Sequence, residues 1–561
     1  MSRFLNQVKA MRWPDWLALV LVAAGCGMFI HQCLVLGSRS VDDAFITFSF
    51  SKNLALGNGP VYSHGVRVEG YSNFLWMVLV ALPLVITRGA MPLAAARLMA
   101  APFVVLLYWA VYRLARSCGA SRPVAALCLL LLSFNTDLAV AYLTGMETLP
   151  YVALITLAFA AAARSVLDER WHIWAAWTGL AVALMRIDGF VPFGFLIGWA
   201  FLWTTGRRDP RGLWRLLRTY GPPVAVYLLW FGWRWYYYGM MLPSTYYAKS
   251  HIPEVMPMRG MEYIGREIRD GWLWAGLVGW GWLLWRRRSS AALVGCFVVA
   301  HLTYVSAVGG DWMPFGRFVL PVVPLLVSLF LVAAADLTRS ALRARSPLGW
   351  LVPPVALAVA CMMAARMDRR FANTEAEKEK AALAEGMTTS VNGYLRVAEF
   401  LRKIVPPGGR LVTDYGGVFA YFTDGAIIEM WGLANATIAT QGNHKGVQPI
   451  YGKTCPSCYP ELQPEYFHVA EPLLRREPAF ASADEVIANV WQTDTIGQHI
   501  DFKTNFVVGR AFRTATNESL YFLKRRDKVF PAEGPTSDGF VIAYPFEPAP
   551  TSTAFLSGAA R

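Results

Sequence analysis

Asp42 and Asp43 stand side by side, and they open the run DDAFITFSFSKNLALGNGPVYSHGVRVEGYSNFLW that follows the first long apolar stretch. A carboxylate is costly in hydrocarbon and weakly interacting in bulk water, so a pair of them at the edge of an apolar span marks a functional site. Carboxylates there are the groups that take up and release protons for a reacting hydroxyl. Adjacent residues of a helix project about 100° apart, so the two side chains need not share one task. Capping of a helix amino terminus uses the same residue types and is the structural alternative.

Further polar residues recur in short segments between apolar runs. These are Glu69, Tyr71 and Asn73 in RVEGYSNF, Glu147 in TGMET, Arg186 and Asp188 in RIDG, Tyr246, Lys249 and His251 in LPSTYYAKSH, and Asp311 and Arg317 in GGDWMPFGR. Each has two readings. Glu69 either binds a hydroxylated substrate or pairs with Arg67. Glu147 and Asp188 either face a cavity or form an ion pair with a neighbour such as Arg186, and Asp311 is similar. The aromatic residues Trp235 to Tyr238, Tyr246 and Tyr247 either stack on a ligand or anchor the chain at the membrane interface, where Trp and Tyr concentrate.

The elements that must carry these residues are membrane helices. Of 561 residues, 55% are hydrophobic and 16% charged, and apolar runs near the ~20 residues of a bilayer span recur through the first two thirds. The first, residues 14–36, is too long for a signal peptide and lacks a small-residue cleavage site, so it reads as a retained signal anchor. Basic clusters at Arg3, Lys9 and Arg12, at 113–122, 164–170, 207–218, 286–288 and 339–345 mark cytoplasmic loops. They account for the net charge of +14 without nucleic acid. Residues 74–86 are too short to span and read as re-entrant or juxtamembrane. Spans are then expected at 14–36, 95–115, 123–140, 147–165, 172–187, 189–206, 219–237, 270–285, 290–307, 317–337 and 347–365, about eleven in all. With the amino terminus inside, every polar segment named above falls on the outer side, which implies one outward-facing site in a domain of residues 1–365.

Residues 366–561 have charged runs such as NTEAEKEK, many turn residues and no span-length apolar run. They are expected to form a soluble external domain of α/β or mixed type, with short strands and glycine turns in LVTDYGGVFAYFTDGAIIEMWGL. Six cysteines lie in or beside spans and read as packing residues, whereas Cys455 and Cys458 in CPSC lie in the external domain, where a structural disulfide is expected. No metal site is expected from spacing, although His64 and His251 are candidates for holding a divalent cation. Phosphate-loop and dinucleotide motifs are absent, which leaves nucleotide use unsupported.

The order and common sidedness of DDAFITF, VEGYSNFLW, TGMET, RIDG, LPSTYYAK and GGDWMPFGR resemble the GT-C superfamily of membrane glycosyltransferases, and within it the mycobacterial terminal arabinofuranosyltransferases. GGRLVTDYGGVFAYFTDGAIIEMWGLAN is similar to the start of the periplasmic domain of such enzymes. The resemblance implies transfer of a sugar, arabinofuranose, from a polyprenyl-phosphate donor to a cell-envelope glycan at the periplasmic face of a bacterial inner membrane. Asp43 is then the base that deprotonates the acceptor, with Asp42 as partner, and Arg317 and Lys249 meet the donor phosphate, with Arg186 and Arg67 as further candidates. Two alternatives remain: a glycosyltransferase of the same superfamily directed at protein, and a transporter or flippase for a lipid-linked sugar. The latter fits poorly with polar motifs at one face and with no inverted repeat.

Overall fold

The computed structural model describes residues 12–37, 40–63, 66–206, 211–249, 256–311, 313, 315–384, 391–444, 452–468, 475–476, 480, 482–490, 496–513, 518–528, 534–535 and 540–543. Helices occupy all eleven expected span positions. Seven are long and apolar enough to cross a bilayer, namely Trp13–Leu36, Pro92–Ser117, Thr148–Ser165, Ile187–Gly206, Ser289–Ala307, Leu320–Arg343 and Leu348–Asp368. The chain is a multi-pass membrane protein.

The helices at the remaining positions are bent, shorter or more charged. Arg122–Ser133 and Thr136–Leu143 meet at 64°, and together would make an eighth span. At the bend the side chain of Asn135 accepts the Leu138 N–H at 3.1 Å and starts a second helix. His172–Met185 and Trp274–Trp285 have only 14 and 12 residues. Gly212–Tyr238 is long enough but carries Arg215, Arg218 and Arg234. The short apolar helix Phe74–Thr87 matches the stretch read as re-entrant or juxtamembrane.

Burial separates centre from rim. In Thr148–Ser165 the apolar stretch is 89% buried within the protein, whereas in Trp13–Leu36 and Leu348–Asp368 it is 17%, so these two present most of their surface to lipid. Asp42–Ala55, which carries the double aspartate, is an interior helix: every residue from Ala44 to Ser51 is buried. Ser51 donates to the Met77 carbonyl at 2.8 Å, and the indole of Trp76 donates to that of Gly145 at 3.0 Å, fixing the neighbouring polar segments against one another.

The two ends of the bundle differ chemically. At one, Arg122 pairs with Asp15, Arg288 bonds Asp336 at 3.1 Å, and Arg339 donates to the Gly119 carbonyl, so loops read as cytoplasmic gather there. The polar motifs gather at the opposite ends of the same helices.

Beyond the bundle, Leu348–Ala384 continues for 37 residues, so the expected boundary at 365/366 falls inside one helix. An eight-stranded mixed sheet follows, made of β1 (Arg410–Thr413), β2 (Ala426–Glu429), β3 (Tyr466–His468), β4 (Arg475–Arg476), β5 (Phe506–Arg513), β6 (Glu518–Arg525), β7 (Gly534–Pro535) and β8 (Phe540–Ala543). Its order is β2-β1-β3-β6-β5-β8-β7, with β4 also on β6. β1 runs parallel to β2 and β3, and the other pairs are antiparallel.

The turn after β1 and the helix Gly416–Phe422 pack against Asp42–Ala55. Tyr62 donates to the Gly416 carbonyl, Lys52 to that of Tyr421 at 2.8 Å, and Ser63 accepts the Ile427 N–H at 3.1 Å. A Cβ at Gly417 would overlap the Asp42 carbonyl, and one at Gly70 would press on Ala434. Gly417→Ala is therefore expected to lower stability by about 1–3 kcal/mol, the range for overpacking. Gly194→Ala, where the space is open, should not; thermal midpoints of the purified variants decide.

Candidate active site

Asp42 and Asp43 begin their helix, but the structure gives them different surroundings. Asp42 accepts the Gly417 N–H at 3.0 Å on one oxygen and the Val418 N–H at 2.8 Å on the other. These amides belong to the first turn of Gly416–Phe422, so the carboxylate binds the free donors of a helix in the other half of the molecule. Burial, opposed by those two hydrogen bonds and reinforced by Asp43 and Asp414, pushes the Asp42 carboxyl up to about 7. Asp43 is 23% exposed, and its nearest cation is Arg317 at 3.9 Å. Of the two, Asp43 is the group with room for a ligand.

Arg317 bonds Asp311 at 3.0 Å. Its guanidinium lies 5.4 Å from the ring of Phe318, on which Arg186 also rests, at 5.2 Å. Arg186 in turn bonds Glu147 at 2.9 Å and Asp188 at 3.0 Å. The second Glu147 oxygen accepts from Asn73 at 2.8 Å, and Asn73 accepts from Thr47 at 3.1 Å. Glu147, Arg186 and Asp188 are all below 10% exposure and satisfy one another, which is the local ion pair rather than two separate cavity-facing carboxylates. Asn73 is part of the same buried network.

Lys249, at the end of the short helix Ser244–Lys249, lies within electrostatic reach of Asp43, Arg317, Asp311 and Glu429. Burial holds its amine below the usual range. Among the described residues no hydrogen bond or ion pair engages its ammonium. Asp43, Arg317, Asp311 and Lys249 thus come together from three distant segments.

Several expected site residues are elsewhere. Glu69 faces neither substrate space nor Arg67: it is clamped by Arg234, whose Nε lies 3.0 Å from one carboxylate oxygen and 3.1 Å from the other, in a pair from which solvent is excluded. Arg67 instead rests on the Tyr237 ring at 5.2 Å. Tyr71 is a core residue, 2% exposed, accepting from the Tyr238 hydroxyl at 3.1 Å and edge-on to Phe50. Tyr246 is half exposed and edge-on to Tyr247. His251 and His64 lie outside the described residues. Cys455 and Cys458 are disulfide-bonded. Among the described residues no three His, Cys, Asp or Glu side chains converge as metal ligands.

Sequence reading missed the groups supplied by the sheet domain. Glu429, at the end of β2, is buried and accepts the N–H groups of Trp431 at 2.8 Å, Leu433 at 2.6 Å and Ala434 at 3.2 Å. Burial, opposed by these bonds, raises it to about 7. His468 Nε2 lies 3.0 Å from an Asp414 carboxylate oxygen, and Asp414 is within electrostatic reach of Asp42. The double glycine at 416–417 was the available signal, because it permits the close approach of backbone to Asp42.

Comparison of the whole chain with solved structures identifies the architecture. ArnT from Cupriavidus metallidurans in the apo state superposes with a TM-score of 0.53 at 14% identity, over 90% of this chain and 97% of that one. The fold is GT-C-like. ArnT bound to undecaprenyl phosphate gives 0.51 at 14% identity, covering 76% of this chain and 88% of that chain. The archaeal oligosaccharyltransferase AglB from Archaeoglobus fulgidus, in complex with an inhibitory peptide and a dolichol-phosphate, gives 0.50 at 10% identity, over 91% and 74%. Residues 382–521 match the family model described as a domain of unknown function, DUF8728. No curated protein matches the sequence.

Two measurements test the electrostatics. Asp42 and Glu429, both raised to about 7 in the folded state, retain protons there that the unfolded chain has released by about pH 4. Stability should therefore fall as pH rises from about 4 to 7 and level off above, and Glu429→Gln should flatten the slope of thermal midpoint against pH. Glu69→Gln strands the fully buried Arg234 and is expected to cost about 3–5 kcal/mol in chemical denaturation.

Proposed function

We propose that the protein transfers a sugar from a polyprenyl-phosphate donor to an acceptor hydroxyl. The observation that carries this reading is an open carboxylate, Asp43, beside Arg317 and Lys249 at one end of a GT-C-like bundle. A lipid-linked donor cannot leave the bilayer, whereas a glycan arrives from water, so a site at the helix ends serves both. The fold likeness supports a lipid phosphate as ligand: ArnT has been seen with undecaprenyl phosphate and AglB with dolichol-phosphate.

In the proposed reaction Asp43 accepts the proton of the acceptor hydroxyl as its oxygen bonds the anomeric carbon. The bond from that carbon to the phosphate oxygen breaks, and polyprenyl phosphate departs with its charge met by Lys249 and Arg317. Carboxylate charge also favours the oxocarbenium character of the sugar during transfer. Asp42 acts at one remove, by holding the Gly416–Phe422 turn against the first turn of the catalytic helix. Arabinofuranose is the proposed sugar, on the strength of the motif order. The proposed setting is a bacterial inner membrane, with the amino terminus cytoplasmic and the site and residues 366–561 on the outer side, where that domain receives a cell-envelope glycan. The AglB likeness favours a second reading of the acceptor alone, a protein chain.

Radiolabelled polyprenyl-phosphoryl arabinofuranose, purified enzyme and a glycan mixture test the proposal. Asp43→Asn should reduce transfer by about 10²–10⁴-fold, the usual worth of a positioned base, with an unchanged thermal midpoint. Lys249→Met should chiefly raise the donor KM. Near-normal turnover of Asp43→Asn would remove it as base. Transfer from another polyprenyl-phosphate sugar in place of this one would discard arabinofuranose, and silence with every donor would sink the enzyme reading.

A further inference from the structure

The helix Met256–Asp270 has three faces rather than two. Met256, Gly260, Tyr263 and Glu267 are buried and form one stripe. Gly260 packs so closely on the Ser306 backbone that a Cβ would overlap it, and Ser306 donates to the Pro257 carbonyl at 3.1 Å, so the helix lies against the end of Ser289–Ala307. The same stripe grips the segment that carries Asp311 and Arg317. Tyr263 accepts the Phe318 N–H at 3.3 Å, Gly310 leaves no room for a Cβ beside the Tyr263 ring, and Gly316 leaves none beside the Glu267 carboxylate.

A second stripe is apolar yet exposed: Met258 is 57% and Met261 60% accessible. The third carries Arg259, Arg266 and Arg269, with Glu262 and Asp270 among them. Arg266 and Arg269 are 56% and 79% exposed even though Arg266 stands 3.6 Å from Glu267 and Arg269 3.1 Å from Asp270. Immediately after the helix come Trp272 and Trp274, their rings 5.4 Å apart, and then the apolar helix Trp274–Trp285. Exposed methionines, adjoining arginines and a tryptophan pair at the start of an apolar helix describe a helix lying in the bilayer surface. In the proposed topology this is the outer side, where the positive-inside rule leaves few cations, so orientation of the chain does not account for the three arginines.

We propose that Met256–Asp270 is an anionic-lipid contact, with Met258 and Met261 among acyl chains and Arg259, Arg266 and Arg269 on the headgroup phosphates of acidic phospholipids. By that contact the bilayer holds the 309–318 segment, and with it Arg317, in position. The inference rests on the outer-face reading of this end of the bundle, and its test needs no glycosyl transfer.

Purified protein is reconstituted into nanodiscs of phosphatidylcholine alone and of phosphatidylcholine with phosphatidylglycerol, and the thermal midpoint is read in each at low and high salt. The acidic lipid should raise the wild-type midpoint, salt should remove most of the gain, and the triple variant Arg259→Gln, Arg266→Gln, Arg269→Gln should lose at least half of it. Equal wild-type midpoints in the two lipids, or a gain kept by the triple variant, overturns the proposal. Met258→Ser with Met261→Ser should lower the midpoint less in detergent than in either nanodisc, and an equal loss in all three media also overturns it. Labelling of Glu262→Cys, on the exposed charged face, in intact cells by an impermeant maleimide reports sidedness separately: an unlabelled site with the lipid effect intact corrects the topology and leaves the lipid contact standing.

Discussion

Guanidinium groups buried at the end of an apolar bundle have to be matched by carboxylates, and the arrangement of the polar end follows from that requirement. Arg234 takes Glu69, Arg186 takes Glu147 and Asp188, and Arg317 takes Asp311 while standing near Asp43. Each pairing joins or orders segments that would otherwise be independent loops: Arg234 fixes 67–73 to the end of Gly212–Tyr238, and Arg186 fixes 144–148 to 186–189. Two groups are less fully committed, the partly exposed carboxylate of Asp43 and the ammonium of Lys249. Room for a ligand is left there because the neighbouring charges already have partners.

How much of this was legible in the sequence depends on the length scale of the signal. Spans of hydrocarbon length and clusters of arginine between them are local, and they yielded helices at every expected position. Length alone did not reveal that Arg122–Ser133 and Thr136–Leu143 are bent apart, because the cause is one capping side chain, Asn135. Pairing is not local. Arg234 sits in WRWYYY, a run that reads as an aromatic belt, and nothing near it in sequence points to Glu69, 165 positions away. Glu429 and Asp414 were equally unreadable, since their surroundings exist only once the sheet has formed and docked. Tyr71 and Asn73 look like ligands by type, and their burial was not readable from type alone.

The sheet domain is more than an appendage. A soluble appendage needs only a tether, but here the turn after β1 and the end of β2 press on the first turn of Asp42–Ala55 and on the 69–73 loop, with glycines at the closest approaches. The candidate site is therefore built from both halves of the chain, and the 37-residue helix Leu348–Ala384 runs on past the apolar part of the last span.

The bond from Asp42 to the amides of Gly417 and Val418 spans 375 and 376 positions, and this has a consequence for biogenesis. During synthesis the first helices enter the membrane long before residue 417 leaves the ribosome. Until then Asp42 has no partner other than water, and the polar end of the bundle stays open. A nascent or truncated chain that has inserted all its spans is still unfinished at its polar end, and closure waits on roughly the last quarter of the protein to fold.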